Sequence, residues 1–350
     1  MTSKRTSTAR ARVVSALTEE ILQSPEQGAF PIDSEHQLCR RFNISRVTVR
    51  LALSDLENRG LIYRKHGKGT FAHGRGTRVY RNMGILMKSP QSAEHRPIAE
   101  MIRGVQTAMA RVRSATLLIC NAPKEWRPEK ASNLSGVIIV PQDVTAADID
   151  VIRERNIPLI VFAESGLDAP HILLGQQEAA RSMTQRLLDL GHKRFALLTG
   201  FDAAMDLPKR MGVQDALSVA GIDPAQVLEF SAHGEEGDVF KAAKDLLMAR
   251  PRPTAVIAFD DSLGSMVSFH ARRNEGLQVP ADLSIVSFHS WPYLNYVEPA
   301  LTTVRFEFFR GGLCAAEALN QAFMTGDKVK DLTFNPTFCP GQTIGPAPTA

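Results

Sequence analysis

The sequence predicts an α/β protein in two unequal parts: an N-terminal winged helix-turn-helix and a larger body of parallel sheets covered by helices. Three observations carry this prediction. Residues 10–72 read as helix, helix, tight turn, capped helix and a short hairpin. From Met83 onward, short apolar runs alternate with amphipathic stretches, the pattern of strands buried on both faces. The charge is unevenly placed: residues 1–82 hold 15 Lys and Arg against 7 Asp and Glu, a net +8, and the remaining 268 hold 26 against 30, a net −4.

At 350 residues the chain exceeds one ordinary core and fits two or three domains. Hydrophobic residues at 44% and charged residues at 22% exclude a disordered chain. The longest apolar runs, such as Gly136–Val140 and Leu159–Ala163, are strand-sized, so no membrane span is expected. The start, Met1–Arg12, is polar and basic, unlike a secretion leader. Cys39, Cys120, Cys314 and Cys339 are scattered without CxxC spacing, and are expected to be reduced, mostly buried thiols in a cytoplasmic protein. No cofactor or metal site is expected. A basic head on a slightly acidic body suits a chain in which only the head meets a phosphate backbone.

In the head, Val13, Ala16, Leu17 and Ile21 form one helical stripe over Arg10–Gln23, which Ser24-Pro25-Glu26-Gln27-Gly28 breaks. A second helix opens at Ser34, where Ser34 and Gln37 have capping-box spacing. After a turn at Phe42-Asn43-Ile44, Ser45 caps a third helix whose core stripe is Val49, Ala52, Leu53 and Leu56. Arg46, Thr48 and Arg50 lie off that stripe near its start, and Gly60 ends it. Leu61–Arg64 and Thr70–Ala72 then read as two strands around Lys65–Gly69. Such a third helix enters the major groove N-terminus first, with the hairpin tip on the neighbouring backbone or minor groove. Arg46 and Arg50 can each offer a bidentate fork to guanine or a charge-assisted bond to phosphate. The glycines at 67 and 69 lack the GxxxxGK[ST] spacing of a nucleotide loop.

The stretch SEHQLCRRFNISRVTVRLALSDLENRGLIYRKHGKGTFA resembles the GntR-type DNA-binding domain. The resemblance implies that Ser45, Arg46, Thr48 and Arg50 contact DNA from the recognition helix and His66, Gly67 and Lys68 from the wing. Asp33 stands where that family usually has Pro. His36 stands where it often has a DNA-touching Arg, which leaves His36 as a weaker candidate.

Residues 73–82, HGRGTRVYRN, read as a linker between a head at 1–72 and a body at 83–350. The body predicts strands at Met83–Met87, Ala115–Cys120, Gly136–Val140, Leu159–Ala163, Phe195–Thr199, Gln226–Phe230, Ala255–Ala258 and Ser284–Phe288. Helices are predicted at Ile98–Arg111, Ala146–Arg155, Gln177–Leu190, Pro208–Ala220, Val239–Met248 and Leu263–Glu275. Ligands on such sheets bind at the carboxyl ends of the strands.

The segments MIRGVQTAMA, EAARSMTQRLLDLGHKRFALLTG, RMGVQDALSVAGI, PTAVIAFDDSLGSM and GLQVPADLSIVSFHSWPYLNYVEPALTTVRF resemble the effector domain of the LacI family, a two-lobed fold like that of periplasmic sugar-binding proteins. Between Cys120 and Gly136 the chain is shorter than is usual there, so one helix of the first lobe is expected to be reduced or absent. A GntR-type head on a LacI-type body resembles the arabinose-responsive repressors. It implies a sequence-specific transcriptional regulator, by default a repressor, that forms a homodimer, binds a two-fold operator and responds to a small effector in the inter-lobe cleft.

The resemblance places Asp260, Asp261, Gln176 and His289 at effector-binding positions, with His289 replacing the family's carboxylate. The family's pocket arginine falls on Lys209 or Arg210, and Phe259 and Trp291 flank the same strand ends, where they could stack on a ring. A cation pair and a His in place of carboxylates and an amide suggest an acidic, phosphorylated or aromatic effector; a neutral sugar recognised differently, or no effector, remain alternatives. Asp260 and Asp261, read as neighbours on a strand, face opposite ways and are poor partners for acid–base work. His192, Lys193 and Cys314 read as structural. Two other functional classes make different demands. An enzyme on a doubly wound scaffold would need a motif such as GxSxG, HExxH or GxGxxG after a strand, none of which is present. An architectural DNA-binding protein would ignore small molecules.

Overall fold

The computed structural model describes residues 2–74, 81–90, 93, 95–112, 114–127, 131, 133–142, 144–200, 203–232, 236–289 and 298–349. The head comprises α1 (Thr2–Gln23), β1 (Phe30–Pro31), α2 (Glu35–Phe42), α3 (Arg46–Asn58), β2 (Ile62–Lys65) and β3 (Gly69–Ala72). Its turns follow local chemistry. The Ser34 hydroxyl accepts from the Gln37 amide while Gln37 Oε1 accepts the Ser34 N–H at 2.8 Å, completing the capping box. Asn43, in the left-handed region with φ 51, ends α2 and swings the chain into α3. Val13, Leu17, Ile21, Leu38, Val49, Leu53, Leu56 and Leu61 are all at most 2% exposed and fuse the three helices into one core. The two-residue β1, too short for its period to show in sequence, adds to β3.

The body has two lobes. The first contains β4 (Asn82–Leu86), α4 (Arg96–Arg111), β5 (Thr116–Ile119), β6 (Leu134–Ile139), α5 (Ala146–Glu154), β7 (Leu159–Phe162) and β8 (His171–Leu173). The second contains α6 (Gln176–Asp189), β9 (Phe195–Thr199), α7 (Ala203–Val219), β10 (Leu228–Ser231), α8 (Glu236–Met248), β11 (Ala255–Ala258), α9 (Asp261–Arg273), β12 (Ser284–Phe288) and β13 (Thr302–Arg305). The chain then returns through α10 (Phe308–Thr325) and β14 (Leu332–Thr333) to the first lobe, and ends with β15 (Thr337–Cys339) in the second. The sheets run β14-β8-β7-β6-β4-β5, all parallel, and β10-β9-β11-β12-β13-β15, parallel except for the antiparallel edge β15. The chain therefore crosses between lobes three times, after β8, after β13 and after β14. Among the described residues no helix is long and apolar enough to cross a membrane.

Each lobe is closed by a pair of helices whose backbones touch. A Cβ at Gly104 of α4 would overlap the Phe309 carbonyl, and one at Gly312 of α10 the Met101 carbonyl. In the second lobe Gly212 of α7 is pressed against the Gln177 carbonyl of α6 in the same way. α10 spans about 27 Å at 1.5 Å per residue, starting between the lobes and ending in the head, where Met324 is 3% exposed within the head's core.

Several expectations are corrected. Helix α7 begins at Ala203, so Pro208 lies inside it rather than at its start; its missing N–H removes one backbone bond, confined to the second turn of the helix. Asp260 and Asp261 are not on a strand: β11 stops at Ala258, Asp260 caps α9 and Asp261 is its first residue. The cysteines are free, but none is fully buried and Cys120 is exposed; Cys39 packs only partly against the head's core. His192, which leads from α6 into β9, is 1% exposed and pairs with the Thr254 and Ser284 hydroxyls and the Gly345 carbonyl at 3.0–3.1 Å. Between Cys120 and Gly136 the described residues hold a 3-10 turn at Pro123–Glu125. Residues 75–80 of the expected linker lie outside the described residues.

Candidate DNA interface and ligand cleft

Helix α3 presents its N-terminus to solvent because Ser45 ends the preceding turn and caps it, accepting the Thr48 N–H at 3.2 Å. Arg46 and Arg50, one turn apart, have side chains 70% and 57% exposed. Both guanidiniums converge on one carboxylate: Arg46 Nε lies 2.8 Å and Arg50 Nε 3.0 Å from Glu35 Oε2. Glu35, in the first turn of α2, is held below the usual carboxylate range chiefly by the Arg46 hydrogen bond. The pair is thus pre-aimed by a residue that no DNA-binding motif singles out, although its place in the capping box puts it beside the start of α3.

Thr48 departs from expectation. It is 4% exposed, on the core side of α3, and its hydroxyl lies 2.9 Å from that of Ser45. Its spacing of four to Ala52, a core position, is the sequence signal that places it inward. His36 is exposed on α2, and His66, Gly67 and Lys68 are exposed at the hairpin tip, where Gly67 (φ 70) and Gly69 (φ 110) supply the left-handed backbone the turn needs. Val47, which the resemblance does not mark as a contact, is 67% exposed next to Arg46 in the chain.

In the body, the carboxyl ends of the strands meet at the crossings. Asp260 accepts the Ser262 N–H at 2.7 Å, as a helix cap should, and its other oxygen lies 3.3 Å from His289 Nδ1. Burial works against the Asp260 charge, yet the His289 and Ser262 hydrogen bonds hold the carboxyl well below its ordinary range. His289, 6% exposed with φ 71, is pushed down by burial against the pull of Asp260, so it is a neutral ring. With Nδ1–H donating to Asp260, Nε2 is an acceptor, and among the described residues it has no hydrogen-bond partner. The His289 ring meets Phe306 and Phe308 edge-on at 5.6 and 5.1 Å, and Phe308 reaches Phe162 of the first lobe at 5.9 Å. Phe259, 1% exposed, stands edge-on to Phe288 at 6.1 Å.

The remaining candidates separate. Lys209 is 2% exposed, paired with Asp206 at 2.8 Å and donating to the Phe259 carbonyl at 2.9 Å, over the Phe259 ring. Arg210 points the other way, into an ion pair with Glu229 of β10. The two do not form a cation pair, because adjacent helical residues are about 100° apart and only the first faces inward. Asp261 accepts from Arg96 at 2.7 Å, a bond from the first residue of α9 in one lobe to the first residue of α4 in the other. Gln176 is fully buried at the start of α6, and among the described residues neither end of its amide has a partner. Trp291 lies outside the described residues. Arg96, Phe306 and Phe308 went unrecognised in the sequence: nothing local distinguishes a helix-start arginine that finds a carboxylate 165 residues away.

Comparison with known proteins places these features. Residues 9–72 match the model for bacterial regulatory proteins of the gntR family, and residues 184–344 that for a periplasmic binding protein-like domain. The chain is 26% identical over 326 residues to the arabinose metabolism transcriptional repressor of Geobacillus stearothermophilus, covering 87% of this chain and 89% of that one. It is 24% identical over 243 residues to the HTH-type transcriptional repressor PurR of Vibrio atlanticus, covering 66% and 72%. A solved LacI family transcriptional regulator from Enterococcus faecium, with bound ribose, superposes with a TM-score of 0.65 at 19% identity, over 76% of this chain and 99% of that one.

Proposed function

From a chain that is a transcriptional regulator joining a GntR-type DNA-binding head to a LacI-type, periplasmic-binding-protein-like body, we propose a repressor that grips a two-fold operator as a homodimer in the cytoplasm and is released by a small molecule between the lobes. In this reading the start of α3, with Arg46 and Arg50, enters the major groove while His66–Lys68 and His36 touch the backbone.

One observation carries the coupling: α10 joins the two sites. Its first residue, Phe308, packs on His289 of the opposite lobe, and its penultimate residue, Met324, is seated in the head's core. Arg59, just past α3, donates to the Met324 carbonyl at 3.1 Å, and Arg81 donates to the Asn58 carbonyl and lies over Phe323 at 4.9 Å. A ligand that moves the lobes displaces one end of a stiff rod whose other end holds the recognition helix.

The effector we favour is a small neutral ring bearing hydroxyl or N–H donors. The nearby cations Lys209, Arg210 and Arg96 are already matched by Asp206, Glu229 and Asp261, so none of these three is left as a counterion for an acid. What remains is an acceptor nitrogen on His289 among phenylalanine rings, suited to a ring with one apolar face. Kinship with an arabinose metabolism repressor agrees with a sugar-like molecule. The test has two arms: binding of the full chain to duplexes from its own promoter region at low and high salt, and a thermal-shift panel of neutral sugars, nucleobases, sugar phosphates and organic acids. Specific binding weakened by a neutral ligand is the expected result. No binding to any duplex overturns the regulator reading, and stabilisation by acids alone overturns the neutral effector.

A further inference from the structure

On α3 the buried arc is already full: Thr48, Val49, Ala52, Leu53 and Leu56 are at most 4% exposed. The outward arc carries Arg46 and Arg50 on one side and Val47 and Leu51 on the other, the latter two 67% and 41% exposed. Among the described residues of the head, these are the two large apolar side chains left in solvent. They are one turn apart and adjacent, so they form a single small apolar strip. A β-branched residue near a helix start is not favoured by helix propensity, and Val47 gains nothing from burial in the free head. Glu35 holds both guanidiniums in ion pairs, and Val47 beside them stays 67% exposed. The surface that matches a cationic helix start with an apolar strip beside it is the floor of the major groove, where phosphates flank base edges and thymine alone presents a methyl group.

We propose that Val47, with Leu51 behind it, sets operator specificity by packing on the C5 methyl group of a thymine next to the step held by Arg46 and Arg50. The inference rests on α3 being the groove-entering helix. It assigns an apolar readout to a face that also carries the cations Arg46 and Arg50.

The test uses the full-length protein. Its preferred duplex is selected from a randomised pool, and each thymine of the half-site is then replaced in turn by uracil, which removes the methyl group alone. One thymine per half-site should prove sensitive, binding weakening about four- to tenfold on loss of a buried methyl contact. The Val47→Ala variant should bind thymine and uracil duplexes equally, with unchanged thermal stability because the side chain is exposed. Leu51→Ala should halve the discrimination or leave it intact, without abolishing it. The inference is overturned if the wild-type protein selects a defined site yet no uracil replacement matters, or if Val47→Ala still distinguishes the methyl group. Failure to select any site removes the groove-entering reading as well, and so is distinguishable from failure of the valine alone.

Discussion

Arg96 and Asp261 join the two lobes directly: the guanidinium at the start of α4 lies 2.7 Å from the carboxylate at the start of α9, which is 3% exposed. Each is also the first residue of its helix. The acid sits where a helix N-terminus favours negative charge, and the base is drawn out of its own unfavourable position by the acid. The bond is therefore a strut across the cleft, and it occupies a carboxylate that the sequence alone assigned to the effector.

Replacing Asp261 with Asn should separate the lobes. Loss of one partner from a largely buried pair costs about 3–5 kcal/mol where both partners are enclosed, and nearer 2–3 here because Arg96 retains some solvent contact. Urea unfolding should report that loss and small-angle scattering a larger radius of gyration. An unchanged radius would show that the strut does not set the lobe angle.

Lys209→Met should be more damaging than its role as a candidate ligand contact suggests. It leaves Asp206 buried without its cation and the Phe259 carbonyl without a donor, a loss of about 3 kcal/mol or more. Arg210→Met, by contrast, should cost about 0–1 kcal/mol, since the Glu229 pair is partly solvated. Equal effects of the two in a denaturant titration would contradict the assignment of inside and outside.

Gly312→Ala forces α10 away from α4, because the new methyl group meets the Met101 carbonyl backbone rather than a flexible side chain. A destabilisation of at least about 2–3 kcal/mol is expected, together with weaker DNA binding, since the same helix seats the head. A variant that melts like the wild type would mean the two helices are not in backbone contact.

Stability should fall as the solution is acidified from pH 7.5 to 5.5. His192 and His289 are both held below the ordinary histidine value by burial, His289 despite Asp260. Below about 6.5 the unfolded chain binds protons that the folded one refuses, so each such histidine removes up to about 1.4 kcal/mol per pH unit in that window. The depressed Asp260 acts in the same direction only at more acid pH, as the solution falls through and below the usual carboxylate range. His192→Gln should flatten the slope measured by urea titration at successive pH values; a slope that rises on acidification would refute the neutral state.

Arg46→Ala should weaken operator binding by about 1–3 kcal/mol and relax selectivity at one base pair if the residue reads a base. A uniform loss on all duplexes, with a salt slope shallower by about one, would make it a phosphate contact.

What the sequence revealed was local. Ser34, Gln37, Ser45 and the Val49–Leu56 stripe act within one or two turns, so spacing alone located α2 and α3. The continuous runs Phe195–Thr199, Ala255–Ala258 and Ser284–Phe288 are strands with those bounds, since a strand buried on both faces reads as a short unbroken apolar run. Edge strands β14 and β15, two and three residues long, carry no period to detect. The site was less legible because its partners are distant in sequence. Whether Lys209 faces a ligand or Asp206 depends on which side of α7 meets the sheet, and the reach of Arg96 to Asp261 depends on the whole fold.

The seat of Met324 in the head has a consequence for how such regulators are assembled. A head that borrows a side chain from the last turn of a body helix is not a bead on a string. Cut away at the linker, it would show water the apolar surface that Met324 covers. Grafted onto a foreign sensor, it would need a matching plug at the same height. Recombination between heads and bodies must then exchange that surface and its plug together, which limits the junctions that yield a working hybrid.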